Sequence, residues 1–336
     1  MEQKILQTKK PEITCYTAYG LLFSVLPDSM IPWIHNNFIQ LRYSKGWDIV
    51  TFDNHHLLLS HCPSISFRTL PKYIITKGFS GDIKKLIIEA INENEYVFLY
   101  VDRFYIKAAQ WFYQKQHMYH EVFIYGYDLE KDIVYLADNL QNGKFVFAEC
   151  SFCEIEQSYN SIDSRYDFMT DVGVLSVNPE VKSYINIKQI ADGLERYLES
   201  KDTFDVRYEQ PCEFGLQVAE VIRNKLLLCS NGDVDLRPFH LLYEHKLLMK
   251  QRVEYLSEYG YLMEGSVNTS DFETLASEFF LLRNIVMKYN LLKNRQMLND
   301  VIVKLDDLCL REKILLRSLQ DGLIEKKEKG EAKYSW

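Results

Sequence analysis

Apolar residues follow two periods along this chain, and the change falls near residue 180. Before it, short apolar runs bounded by turn residues read as strands, with a few helices between them. Tyr96–Val101 is continuously apolar, which suits a central strand buried on both faces. Glu121–Tyr127 and Asp132–Ala137 read as two strands. The turn at Asp128–Lys131 makes them an antiparallel hairpin. Lys144–Ala148 is a third strand and Asp48–Phe52 another. Cys15–Leu26 reads as a helix, with Leu22, Val25 and Leu26 on one face and Pro27 ending it. Pro11 precedes it closely, which sets Cys15 at or near the helix N-terminus. Gly81–Asn92 reads as a second helix, with Ile83, Leu86, Ile87 and Ala90 on one face.

After residue 180 the helical period takes over. Helices are expected over 187–200, 213–228, 238–260, 270–294 and 296–320. Ser270 with Glu273 has the spacing of a capping box and sets the start at 270. Leu275, Phe279, Leu282, Ile285 and Val286 form a stripe that reads as the core of a helical bundle. No internal repeat is visible. The expected organisation is an α+β domain over residues 1–180, an all-helical domain over 181–325 and a flexible charged tail over 326–336. The apolar stripes suit a cover over a cleft, an acceptor-binding surface or a homodimer interface.

Composition narrows the classes. The 336 residues are 47% hydrophobic, enough for a large core. The net charge of −8 argues against nucleic acid as a partner. No run approaches the length of a membrane span, and the segment Met1–Lys10 lacks the pattern of a signal peptide. The seven cysteines are odd in number and scattered, so a disulfide framework is a poor reading. A cytoplasmic location is expected, where a thiol stays reduced and can act as a nucleophile.

Cys15 is the candidate nucleophile. A helix N-terminus favours negative charge and hence the thiolate, and the Cys15 N–H would face a developing oxyanion. The base must be a histidine brought close in space. His120 opens one hairpin strand and Asp138 closes the next, and an antiparallel hairpin sets these positions side by side. The carboxylate can then hold the orientation and tautomer of the imidazole. Asn139 is the fallback orienter. His117 competes as base but has no evident partner in the sequence. Asp102 and Arg103 read as an ion pair in the core wall or as part of a substrate pocket. His55, His56, His61 and Cys62 fit no common zinc spacing, so no metal is expected. Cys150 and Cys153 form a C-x-x-C that reads as ordinary packing.

Three segments carry a resemblance. Cys15-Tyr-Thr-Ala-Tyr-Gly20 resembles the nucleophile segment of the butirosin biosynthesis protein H-like family. Val101-Asp-Arg-Phe-Tyr105 resembles the strand before that family's histidine. The stretch from His120 to Asp128, with Tyr135-Leu-Ala-Asp138, is similar to its histidine and aspartate hairpin. The order Cys, His, Asp also resembles the C39 peptidases of the papain-like fold. The match covers roughly the first half of the chain. It implies a papain-like domain without a cofactor that takes an acyl group from an acyl or peptidyl carrier-protein thioester and passes it to a small amine, forming an amide in a natural-product pathway. The same triad would also serve a cysteine peptidase or amidase, and the fold could equally be a non-catalytic scaffold. The resemblance further implies an oxyanion glutamine about six residues before the cysteine. Gln7, eight residues before it, is the candidate. Lys9 and Lys10, with Arg42 and Lys45, are basic residues in the sequence around the nucleophile helix. Lys9 and Lys10 are the candidates for docking an acidic carrier.

Overall fold

The computed structural model describes residues 2–55, 57–141, 143–162, 167–203 and 211–325. The tail expected over 326–336 therefore lies outside the described residues, as does His56. The strands are β1 (Gln3–Ile5), β2 (Leu41–Ser44), β3 (Ile49–Phe52), β4 (Ile65–Leu70), β5 (Tyr96–Asp102), β6 (Tyr119–Asp128), β7 (Ile133–Gln141), β8 (Lys144–Ser151), β9 (Val172–Val177) and β10 (Cys212–Phe214). The helices are α1 (Thr17–Val25), α2 (Ile31–Asn37), α3 (Leu58–His61), α4 (Lys72–Gly78), α5 (Ile83–Asn92), α6 (Phe152–Asn160), α7 (Asp167–Thr170), α8 (Ile187–Leu198), α9 (Gln217–Leu228), α10 (Arg237–Glu258), α11 (Thr269–Leu292) and α12 (Arg295–Asp321). The protein is mixed α+β, with an antiparallel sheet and a helical C-terminal region.

The chain forms two compact units. One holds residues 1–30 and 56–183, the other 31–55 and 184–336. The expected boundary near 180 is thus crossed by a segment the sequence reading assigns to the first domain. Nor is the second unit all-helical, because β2 and β3 pair with each other and β2 pairs with β10. The reason is non-local: Arg42 lies opposite both Thr51 and Phe214. A strand completed from 170 residues away leaves no local period to read.

The first unit is built on a seven-stranded sheet in the order β4-β9-β5-β6-β7-β8, with β1 also on β6. Every pairing is antiparallel. β5 is apolar on both faces and mostly buried, as a central strand must be. Asp128 closes the β6–β7 turn by accepting the Lys131 N–H at 3.1 Å. A register shift between Ile124 and Gly126 bends β6, and β1 then pairs with Gly126–Asp128. A Cβ at Gly126 would stand 2.7 Å from the Lys4 carbonyl oxygen, so only glycine lets β1 come this close. α1 is buried along nearly its whole length and packs on β6 and β7. α5 is capped by Asp82, which accepts the Lys85 N–H at 2.9 Å, and buries one apolar face.

In the second unit α10 packs on α11, and α11 on α12, through long apolar faces. The cap of α11 is Asn268, which accepts the Ser270 N–H at 3.2 Å, so Ser270 lies inside the first turn and not at the cap. At the β10–α9 junction Gly215 has φ +55°, and a Cβ there would stand 2.1 Å from the Tyr197 carbonyl oxygen. Gly215→Ala is expected to cost roughly 2–4 kcal/mol, because both backbone strain and a backbone clash must be relieved. Thermal denaturation should show a clear drop in Tm; an unchanged Tm would mean the junction has room that the structure lacks.

Candidate active site

The site is assembled at the edge where β5 ends, β6 begins and β7 ends. The β5–β6 register sets Val101 opposite His120 and Asp102 opposite Tyr119. The β6–β7 register sets Phe123 opposite Ala137, which carries the next residue, Asp138, toward the start of β6. The result is a His120 Nδ1 to Asp138 Oδ1 distance of 3.0 Å. The His120 side chain is about one-third exposed, while Asp138 is completely buried.

Asp138 is surrounded by donors. Its Oδ1 accepts from the Thr17 hydroxyl at 2.7 Å and from the Asn139 N–H at 2.5 Å, besides facing His120. Its Oδ2 takes the Arg103 guanidinium, with Nε at 3.1 Å and Nη2 at 2.6 Å. Burial alone would raise the Asp138 pKa. The charge and hydrogen bond of His120, then the Arg103 charge and the Thr17 hydroxyl, outweigh burial and hold the carboxyl below its ordinary value of 3.8. His120 is the mirror case. Burial lowers its pKa and Arg103 adds to that, but the charge and hydrogen bond of Asp138, with Glu121 nearby, leave it raised above 6.5.

The Glu121 carbonyl oxygen lies 3.1 Å from His120 Nδ1. Nδ1 thus faces two acceptors, this carbonyl and the Asp138 carboxylate, and one donor, Arg103 Nη2 at 2.9 Å, and the two acceptors together favour a hydrogen on Nδ1. That tautomer leaves Nε2 as the nitrogen that gains and loses a proton.

Cys15 is 7% exposed, carries no disulfide and stands two residues before the first residue of α1. The segment around it is tied to the histidine's carboxylate and to the side chain of the residue that follows that aspartate. Thr17 bonds Asp138, and the Asn139 side-chain amide donates to the Thr14 carbonyl at 2.8 Å and the Gly143 carbonyl at 3.0 Å. The structure thus gathers the segment around Cys15, His120 and Asp138. Asn139 acts as the latch on that segment, and the bonds of its side chain go to Thr14, Thr17 and Gly143 and not to His120.

Several expected placements are corrected. Gln7 is exposed, its carbonyl accepts from Tyr96 Oη at 2.5 Å, and it lines a cavity of about 430 Å³ with Ser24–Asp28. That is the C-terminal end of α1, and nine residues of helix rise about 13 Å. Gln7 is therefore at the wrong end to serve as the oxyanion side chain for Cys15. Lys9 goes with it: its N–H donates to the Ser24 carbonyl and its ammonium pairs with Asp28 at 3.1 Å. Docking by Lys9 and its neighbour Lys10 loses the nearness to the nucleophile that suggested it. Arg42 is buried on β2 and Lys45 pairs with Glu213, both in the second unit. Asp102 and Arg103 do not pair with each other in the core wall; they hold different histidines. Arg103 sits on Asp138, and Asp102, fully buried, accepts from His117 Nδ1 at 2.6 Å and from the Phe104 and Met118 N–H groups.

This second Asp–His pair is the relation the sequence reading missed. It follows from applying the hairpin argument to β5 and β6, where the end of one strand again lies beside the start of the next. Its geometry closes the loop 103–118, and His117 stacks on Phe104 with ring centroids 4.4 Å apart. Of the C-x-x-C, Cys150 is buried in β8, where burial pushes its thiol pKa well up, while Cys153 is exposed on α6. No helix among the described residues is long and apolar enough to cross a membrane.

Comparison with protein-family models and with curated proteins finds no match for this chain.

The linked titrations give stability a pH dependence of known sign. Asp138 titrates lower in the folded state, so its contribution is present above 3.8 and is lost as pH falls through and below that value. His120 titrates higher when folded, so its contribution is complete below 6.5 and is lost as pH rises beyond it. Melting curves from about pH 3 to 9 should show both losses. Because each shift is caused chiefly by the other group, Asp138→Asn should flatten the acid side and weaken the alkaline one, at a lower Tm throughout, and His120→Gln should flatten the alkaline side and weaken the acid one. Unaltered slopes would assign the losses to other groups.

Proposed function

We propose that this protein is a cysteine-dependent acyltransferase, with Cys15 as nucleophile, His120 as the proton carrier and Asp138 as the group that orients His120. The observation that carries the reading is the Asp138 carboxylate, which is bonded at once to His120 and to Thr17, two residues after Cys15. A fully buried aspartate with an imidazole raised above its usual pKa is the arrangement that favours a thiolate–imidazolium couple.

The reaction runs in two halves. The Cys15 thiolate attacks the carbonyl carbon of a thioester, and the Cys15 N–H faces the oxygen as it gains charge. The carbon–sulfur bond to the donor breaks, and the departing thiol takes the proton from His120. An amine then attacks the acyl-Cys15 carbonyl and gives its proton to His120. The second carbon–sulfur bond breaks, which releases the amide and the thiolate. A carrier-protein thioester as donor and a small amine as acceptor are the parts of this proposal that rest on the family resemblance. The buried position of Cys15 supports a donor that presents its acyl group on a narrow arm.

Alkylation by iodoacetamide from about pH 5 to 9, mapped by peptide mass spectrometry, tests the couple without a known substrate. Exposed Cys153 is the comparison thiol within the same molecule. Cys15 should keep reacting at pH 5–6, and His120→Ala should remove that advantage by about 100-fold at pH 6. A Cys15 that slows toward acid in parallel with Cys153 would end the acyltransferase reading. A second test uses simple acyl thioesters of N-acetylcysteamine: intact mass should rise by one acyl group on Cys15, and an added amine should remove it. Removal by water as fast as by amine would turn the assignment to a hydrolase.

A further inference from the structure

We propose that Arg103 is a positioning residue of this site, dividing the Asp138 carboxylate between a buried ion pair and His120 and so setting how readily His120 holds its proton. The proposal deepens the acyltransferase reading by naming what regulates its base.

The geometry is a three-way contact. Arg103 Nε and Nη2 both reach Asp138 Oδ2, at 3.1 and 2.6 Å, while Oδ1 is left to His120, Thr17 and the Asn139 N–H. The fork therefore sets two donors on one oxygen, Oδ2, and leaves Oδ1 to face the imidazole. The same Nη2 lies 2.9 Å from His120 Nδ1 and 3.3 Å from the Asn139 carbonyl oxygen. In a Cys–His–Asp arrangement the carboxylate is there to favour the imidazolium. A guanidinium in contact with both members works against that, and it does so where water is excluded, since Arg103 is 5% exposed and Asp138 fully buried.

Among the described residues, the charged groups that act on His120 come from three places: Asp138 on β7, Arg103 after β5, and Glu121 on β6 itself, whose carboxylate accepts from Tyr100 Oη at 2.9 Å. Of these, Arg103 alone opposes protonation. Its guanidinium carbon also lies 5.7 Å from the centre of the Phe112 ring. The loop 103–118, cinched at its ends by Asp102 and His117, thus has a contact to the base through Arg103.

The test is a ¹⁵N NMR titration of the His120 imidazole in wild type, Arg103→Gln and Arg103→Lys, with Cys15 alkylation measured alongside. Glutamine can still donate to Asp138 but carries no charge, so the His120 titration should rise by about half a pH unit or more. Lysine keeps the charge and loses the fork, so the titration should stay near wild type while Cys15 alkylation at pH 6 falls about tenfold through misplacement of the pair. A purely structural arginine predicts lower Tm in both variants and no selective movement of the titration by glutamine; that result overturns the proposal. Should the glutamine variant fail to fold, the lysine variant carries the test, and wild-type alkylation in it overturns the proposal. The two readings fail separately. An unmoved titration in Arg103→Gln removes the role of Arg103 and leaves the Cys15–His120 couple standing, whereas unaffected Cys15 reactivity in His120→Ala removes the couple and leaves the His120 titration standing.

Discussion

A carboxylate with no water around it has to be met by protein donors on every lone pair, and Asp138 meets that demand by drawing three elements together. Thr17 comes from α1, Arg103 from the end of β5 and His120 from the start of β6. Removing any one would leave part of a buried charge uncompensated, which typically costs several kcal/mol. The placement of α1 on the sheet, the orientation of His120 and the surroundings of Cys15 all hang on this one group. Asn139 extends the same logic by one residue: its side chain ties the backbone on the other side of Cys15 to the β7–β8 turn.

The second unit solves the same electrostatic problem with a different set of partners. Lys246 and Glu312 are both about 1% exposed and 2.6 Å apart, and Tyr197 donates to the same glutamate oxygen at 2.9 Å. His245 accepts from Lys246 on Nδ1 at 3.0 Å and donates from Nε2 to the Ile39 carbonyl at 2.7 Å. Burial first, then the neighbouring Lys246 charge, pushes its pKa well below the usual value, so this histidine is neutral. The contrast with His120 is instructive. Both histidines are held by neighbours, but one faces a carboxylate and partial solvent exposure, and the other faces a lysine and a carbonyl in full burial. Arg252, also fully buried, donates to the His35 and Phe38 carbonyls at the end of α2, and so neutralises a helix C-terminus from inside the core.

A shared carboxylate also gives the site a natural point of adjustment. A triad whose acid serves only the histidine has a base of one strength. Here Arg103 holds the same acid and is in turn in contact with Phe112 of an aromatic loop. A change in that loop can reach His120 through two contacts, and neither contact involves Cys15. In the proposed mechanism the group that does chemistry and the group that tunes it are then separate, although both lean on Asp138.

The local patterns of the sequence determined which segments are strands and helices around the site. The apolar run of β5, the β6–β7 hairpin with its Asp128 turn, and the long C-terminal helices all have periods that survive in isolation, because side-chain alternation and helical facing are set by the backbone itself. The hairpin argument brings His120 and Asp138 to the same edge of the sheet, but the one-residue register shift between Ile124 and Gly126 is what sets Asp138 on the face of His120. What only the tertiary structure decided is everything that depends on contacts between distant segments. β2 and β3 join the C-terminal unit because β10 completes their sheet. Gln7 and Lys9 lie at the far end of α1 because β1 pairs with β6 and carries them there. Arg103 reaches Asp138, and Asp102 reaches His117, because the fold buries two neighbouring charges that need different partners. A sequence records which residues carry charge; the fold alone decides which opposite charge each one meets once water is gone.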